Sequence, residues 1–194
     1  MTEGNVLAEL AFLEADDRAV LYEARWNDEK AKTVVPRLIR LLDREDRDCR
    51  LRTLRGLVTV GRSSELAIQK VARLLQSVDD LVFHAAAITL SVVAADSPGP
   101  AVESLIKAAM PGREKPVMFA LVNLGHAAKA ATALFERGLS APSAQMRRLA
   151  LRGLAAVGAD EETMHSALNA ALRDKSKEVR SYAKKLASRF ARRS

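Results

Sequence analysis

Three histidines, one cysteine and 24 carboxylates are the groups in this 194-residue chain that could take part in acid–base, nucleophilic or metal chemistry. Their spacing does not assemble them. His84, His126 and His165 lie about 40 residues apart; no two stand at the i, i+4 spacing that lets a pair of imidazoles share a metal, so each is expected to be an ordinary surface or partly satisfied histidine. Cys49 is a single cysteine, which excludes an internal disulfide and a cysteine cluster. Arg47, Arg50 and Arg52 would favour its thiolate, yet its position matches that of Val82, Met146 and Val179, and it is expected to be a small buried side chain. The acids crowd into residues 1–30 or flank turns, where Asp16, Asp17, Asp160, Glu161 and Glu162 suit the positive ends of helix dipoles. There is no glycine-rich phosphate loop and no Gly-x-Ser-x-Gly. No catalytic residue, metal or cofactor is therefore expected, and the chain reads as not an enzyme.

Arginine recurs where these groups do not. Arg50–Gly61 reads RLRTLRGLVTVG, and 97 residues later Arg147–Gly158 reads RRLALRGLAAVG. A separation of about three units of 32 to 33 residues predicts copies in between. With Cys49 as position zero, the equivalents are Val82, Arg113, Met146 and Val179. Positions 0, 4, 8 and 11 are apolar in nearly every copy, as in Leu57, Leu90, Leu121 and Leu154, so each copy carries one helical face of period 3.6. Arg113 is the break in that column. Gly61, Gly125 and Gly158 follow three of the five helices, where a left-handed cap would end each one.

A second apolar helical segment precedes each of these: Val34–Leu42, Leu66–Leu75, Ala101–Ala109, Ala127–Leu139 and Glu161–Leu172. The joints are short and rich in turn residues, so each copy is an antiparallel hairpin of two helices. One hairpin cannot bury its own apolar face, whereas five stacked hairpins share a core. The expected fold is all-α, an α-solenoid or superhelix. Repeats are expected at about 31–62, 63–95, 98–126, 127–158 and 159–192, one continuous domain over 31–194, with capping helices over 1–30.

These residues resemble the HEAT repeats of the short bacterial, phycobilisome-lyase type. The match is carried by Asp174 to Ala183, by Met146-Arg147 through Gly158, and by Cys49-Arg50 through Gly61. The resemblance implies an armadillo-like helical stack in which a loop acid of one unit bonds an arginine of the next. The candidates for that ladder are Asp46, Asp79 and Asp174 with Arg50, Arg147 and Arg180, while Phe83 and Glu114 interrupt the arginine column. It also implies that the second helix of each hairpin lines a concave face.

On that face, the outward positions two, three, six and ten after position zero hold the candidate binding residues. These are Arg52, Arg55, His84, Ile88, Lys115, Phe119, Arg148, Arg152, Tyr182, Lys185 and Arg189. They form a groove that is basic at repeats 1, 4 and 5 and apolar at its centre. An acidic, partly apolar segment of a partner protein would suit it, making the chain a protein-binding scaffold or adaptor. The alternative is nucleic acid, held through the same bases. Bilin-lyase-like and DNA-glycosylase-like enzymes are weaker alternatives: for the first there is no chromophore-handling motif beyond the repeats, and for the second the central groove columns hold no acid and Trp26 lies outside them.

Charge and hydropathy complete the reading. The chain carries a net charge of +7, yet residues 1–30 hold eight acids against three bases and the last 22 residues hold nine bases against two acids. Such opposed ends could meet head to tail between copies. In the N-terminal segment, Tyr22 and Trp26 are candidates for a cap or a partner contact. No apolar run is expected to reach the roughly 18 to 20 residues of a membrane span, nor does a basic n-region open a secretory signal, so a cytoplasmic protein with no membrane contact is expected.

Overall fold

A computed structural model describes Ala24 and residues 27–190; the capping, Tyr22 and Trp26 readings lie outside the described residues. The fold is all-α, as the repeat pattern requires. The chain divides into two compact units, the first ending at Ala108 and the second beginning at Ala109.

In the first unit, α1 (Asp28–Leu41) and α2 (Arg47–Val60) form one hairpin. Their starts are set by caps: the Asn27 side chain accepts the Lys30 N–H at 3.1 Å, and the Asp46 carboxylate accepts the Cys49 N–H at 2.6 Å. A 3-10 stretch over Gly61–Ala67 leads into the short α3 (Ile68–Arg73), followed by α4 (Asp80–Val93) and α5 (Gly99–Ala108). Asp79 caps α4, accepting the N–H groups of Leu81 and Val82. Helices α2 and α4 pack side by side, and Thr89 donates across them to the Leu54 carbonyl at 3.4 Å.

The second unit repeats the scheme with α6 (Glu114–Leu124), a 3-10 stretch over Gly125–Ala131, α7 (Thr132–Gly138), α8 (Ala144–Val157), α9 (Glu161–Leu172) and α10 (Lys177–Phe190). Here α8 lies between α6 and α10 and also packs on α7, while α9 packs on α10. Three second helices thus stand side by side.

The predicted stripe is the core. Leu57, Leu90, Leu121 and Leu154 are fully buried, each contributing about 1.5–3 kcal/mol from its transfer out of water. The buried face is wider than the stripe, because Leu54, Ala87, Met118 and Leu151, five after position zero, are buried too. Position zero itself is half-exposed at Met146 and Arg113, and the last copy is half-exposed at Ala187 and Phe190.

Two expectations about local structure are corrected. Gly158 adopts the left-handed cap conformation (φ 67°, ψ 52°), but Gly61 and Gly125 do not. They take φ 75° and 59° with ψ near −135°, a region open only to glycine, and each passes the chain straight into a 3-10 turn. The segments predicted as first helices over Leu66–Leu75 and Ala127–Leu139 are therefore composite, broken at Ser64 (ψ 16°) and Ala128 (ψ 25°) ahead of or inside them. The second correction follows from the first. Glu114–Gly138 does contain an 18-residue stretch long and apolar enough, by length and composition alone, to cross a membrane. The expectation that no run comes close missed it because Asn123, His126 and Lys129 interrupt the apolar residues. It is not one straight rod: the backbone turns at Gly125, and Val117, Met118, Leu121, Leu134 and Phe135 are buried within the unit.

Candidate functional site

The outward column six residues after position zero is exposed in every copy: Arg55, Ile88, Phe119, Arg152 and Lys185. In the second unit, the packing of α6, α8 and α10 brings three copies of this face together. Lys115 and Phe119 from α6, Gln145, Arg148, Leu149 and Arg152 from α8, and Tyr182 from α10 line a cleft of about 250 Å³. Five of these were expected from the sequence.

Phe119 is 42% exposed, unusual for an aromatic in a chain that fully buries Phe83 and Phe135. The Arg152 guanidinium carbon lies 5.9 Å from its ring centroid, within range of a cation–π contact. Lys115, Arg148 and Tyr182 make no hydrogen bond or ion pair with their side chains among the described residues. No carboxylate lines the cleft. Three cations therefore surround an aromatic surface with no acid of the cleft to balance them.

The other expected site residues are not in this cleft. Lys185 and Arg189 are exposed further along α10, and Arg52, Arg55, His84 and Ile88 lie on α2 and α4 of the first unit, exposed on the same outward columns. Gln145 lines the cleft without having been expected; it is exposed and stands one residue before position zero, outside the outward columns. His165 is exposed on α9, bordering a separate hollow of about 510 Å³ with Met164, Leu168 and Phe190. His126 is exposed.

The expected arginine–acid ladder is present once. Arg147 is buried and bonds Asp174 of the next hairpin through both guanidinium edges, Nε to Oδ2 at 2.7 Å and Nη2 to Oδ1 at 2.8 Å. Its remaining nitrogen, Nη1, donates to the carbonyls of Ala141 and Pro142. The Arg147 bonds hold the Asp174 carboxyl down at about 2, against the opposing pull of burial and with help from the Ser176 N–H. Arg180 repeats only the carbonyl part, donating to Asp174 and Lys175. Asp46 and Asp79 are corrected: they stand three residues before position zero, where a carboxylate caps a helix, whereas Asp174 stands five before, in the joint itself. Among the described residues Arg50 accordingly reaches no acid and donates to the Leu42 carbonyl at 3.4 Å, while Arg47 pairs with Asp79 at 2.8 Å.

Cys49 is buried, its thiol directed at the Leu41 carbonyl at 3.8 Å, and burial pushes its pKa up despite a hydrogen bond with Thr53. Such a thiol is a poor nucleophile. Among the described residues, no group of three or more His, Cys, Asp or Glu side chains is placed to hold a metal ion.

No family model matches the chain, and no curated protein matches it. Solved structures do. The complex of CpcE and CpcF of phycocyanin lyase from Nostoc sp. PCC7120 contains a chain 22% identical, aligned over 90% of this chain and 73% of that one with a TM-score of 0.59. An engineered protein is 20% identical over 86% of this chain and 85% of its own, with a TM-score of 0.57. At these identities the likeness is one of fold, a HEAT-like stack of helical hairpins. It also corrects the expectation that the chain is not an enzyme. A chain of this fold is part of a lyase, so the absence of a short catalytic motif is no ground for exclusion: side chains on separate hairpins can meet on a shared face without any signature in sequence spacing.

Proposed function

We propose that this chain is a protein-binding module that holds an acidic, partly apolar segment of a partner protein against the outward faces of its second helices. The observation that carries the reading is the cleft of the second unit, where an exposed Phe119 is ringed by Lys115, Arg148 and Arg152 with no lining carboxylate. Arginine forks bind carboxylates bidentately, and exposed aromatics flanked by arginine are the usual anchors of protein interfaces. Arg52, Arg55, His84 and Ile88 on the first unit offer a similar surface. Nucleic acid is a weaker reading, since stacking on single strands uses several aromatic platforms and this face presents Phe119 and Tyr182 alone among the described residues.

Affinity capture compares the wild-type chain with an Arg52→Glu, Arg55→Glu, Arg148→Glu, Arg152→Glu variant, with and without nuclease. The expected result is a protein partner retained after nuclease and lost in the variant. Equal capture by both proteins would sink the reading; loss on nuclease treatment would replace protein with nucleic acid.

A second reading is favoured by the likeness to a chain of the CpcE–CpcF phycocyanin lyase complex. In it, the chain is one subunit of a two-chain lyase, and the cleft faces a protein substrate. Co-expression of the captured partner, this chain and a phycocyanin subunit with bilin tests it: covalent chromophore on the phycocyanin supports the reading, and none removes it.

A further inference from the structure

We infer that the cleft between α6, α8 and α10 is a socket for one aromatic side chain flanked on both sides by carboxylates. The inference rests on the protein-binding reading and adds the chemistry of the segment that is bound.

Size comes first. Pockets for drug-sized ligands and cofactors run from about 300 to 1,000 Å³, and this cleft holds about 250 Å³. It is too small for such a ligand and suits one bulky side chain. Its wall favours an aromatic one. Phe119 offers an exposed ring to an edge-to-face or offset partner, and Leu149 adds apolar surface beside it. Arg152 already lies over Phe119, so the guanidinium is held near the ring rather than free to sweep through solvent. An anchored arginine loses less entropy on binding a carboxylate than a mobile one.

Charge then sets the flanks. Lys115 and Arg148 stand on neighbouring helices, and their side chains make no hydrogen bond or ion pair among the described residues. Residues 109–194 hold 16 bases against 7 acids, so the field around the cleft draws anions toward it. The Tyr182 hydroxyl, also without a partner among the described residues, is a neutral donor for a backbone carbonyl or carboxylate of the bound segment. A socket with cations on two helices and an aromatic wall recognises a segment with acids on each side of its anchor.

The test uses the full chain and fluorescein-labelled pentapeptides followed by anisotropy. Glu-Glu-Phe-Glu-Glu should bind saturably and weaken as salt rises. Replacing its phenylalanine by alanine should weaken binding about tenfold or more, and so should Phe119→Ala in the protein. Arg148→Glu should abolish it, and Lys-Lys-Phe-Lys-Lys should not bind. Phe119 and Arg148 are exposed, so circular dichroism should show both variants folded; Lys115→Glu serves as a further variant if one is not. Equal binding of the alanine peptide overturns the socket, leaving charge alone. Tighter binding of a single-stranded oligonucleotide of similar length overturns the peptide assignment. A silent peptide beside a capture difference that persists between wild type and the charge-reversed variant overturns the socket and leaves the partner reading; failure of both overturns both.

Discussion

The two copies of the duplicated segment share seven of their twelve residues and have different surroundings. In the first unit, α2 carries Arg50 to a backbone carbonyl and ends at Gly61 in a mirror-image extended conformation. In the second, α8 carries Arg147 into a buried, bidentate pair with the next hairpin and ends at Gly158 in a left-handed cap. Residues 1–108 hold 15 bases against 17 acids, and residues 109–194 hold 16 against 7. One repeat pattern thus serves two purposes: a near-neutral stack whose ion pairs sit on the surface, and a basic stack locked by one buried pair that leaves its outward arginines open. The register lock and the binding face use different arginines of one helix, Arg147 and Arg148, because adjacent residues point about 100° apart.

The largest effect should separate the two arginines of the lock column. Arg147→Ala strands the Asp174 carboxylate and the Ala141 and Pro142 carbonyls, and should lower the melting temperature on the order of 10 °C. Arg50→Ala should change it by about 2 °C or less, since only one long hydrogen bond is lost. Similar shifts in the two variants would remove the distinction between the units.

Acid should erase the same difference. The folded carboxyl of Asp174 titrates at about 2, below the roughly 4 of an unfolded aspartate. A depressed pKa contributes stability that is fully present above the unfolded value and is lost as pH falls through the folded one. The gap between wild type and Arg147→Ala should therefore persist from neutrality to about pH 4 and close by about pH 2, as followed by denaturant unfolding at each pH.

Next in size is Gly153→Ala. A Cβ there would come within 2.1 Å of the Phe135 ring, which is fully buried and cannot step aside. The cost should be about 2 kcal/mol despite the better helix propensity of alanine, read from the denaturant midpoint. Gly158→Ala should cost less, about 1 kcal/mol. Its φ of +67° is strained for alanine, but the clash at 2.2 Å is with the exposed His126 side chain, which can rotate away. The smallest effect belongs to Arg47→Ala: the pair with Asp79 is exposed, and the melting temperature should move by about 2 °C or less.

Much of this architecture was legible in residue order. The period of 32 to 33 residues and the stripe at positions 0, 4, 8 and 11 located α2, α4, α6, α8 and α10, because burying one face of a helix imposes a local and regular demand. The outward column at position six came from the same arithmetic, and with it Phe119 and Arg152. The ladder was legible only in part: Asp46, Asp79 and Asp174 look alike as loop acids, yet Asp174, two residues further from its helix, takes Arg147 of the hairpin before, whereas Asp79 caps its own helix and takes the exposed Arg47 instead of Arg50. Gln145 carried no signal, since a polar residue in the first turn of a helix is ordinary anywhere.

The sequence by itself determined that the chain forms helical hairpins, which face of each second helix is buried, and where a glycine must interrupt the backbone. These follow from local geometry and solvent transfer, which act residue by residue. Tertiary structure decided that Lys115, Phe119, Arg148, Arg152 and Tyr182 line one cleft, that Arg147 is buried against an acid of the next hairpin and Arg50 is not, and that the chain falls into two compact units. Those outcomes depend on how neighbouring helices pack, and a shift of a few ångströms between them changes which side chains meet.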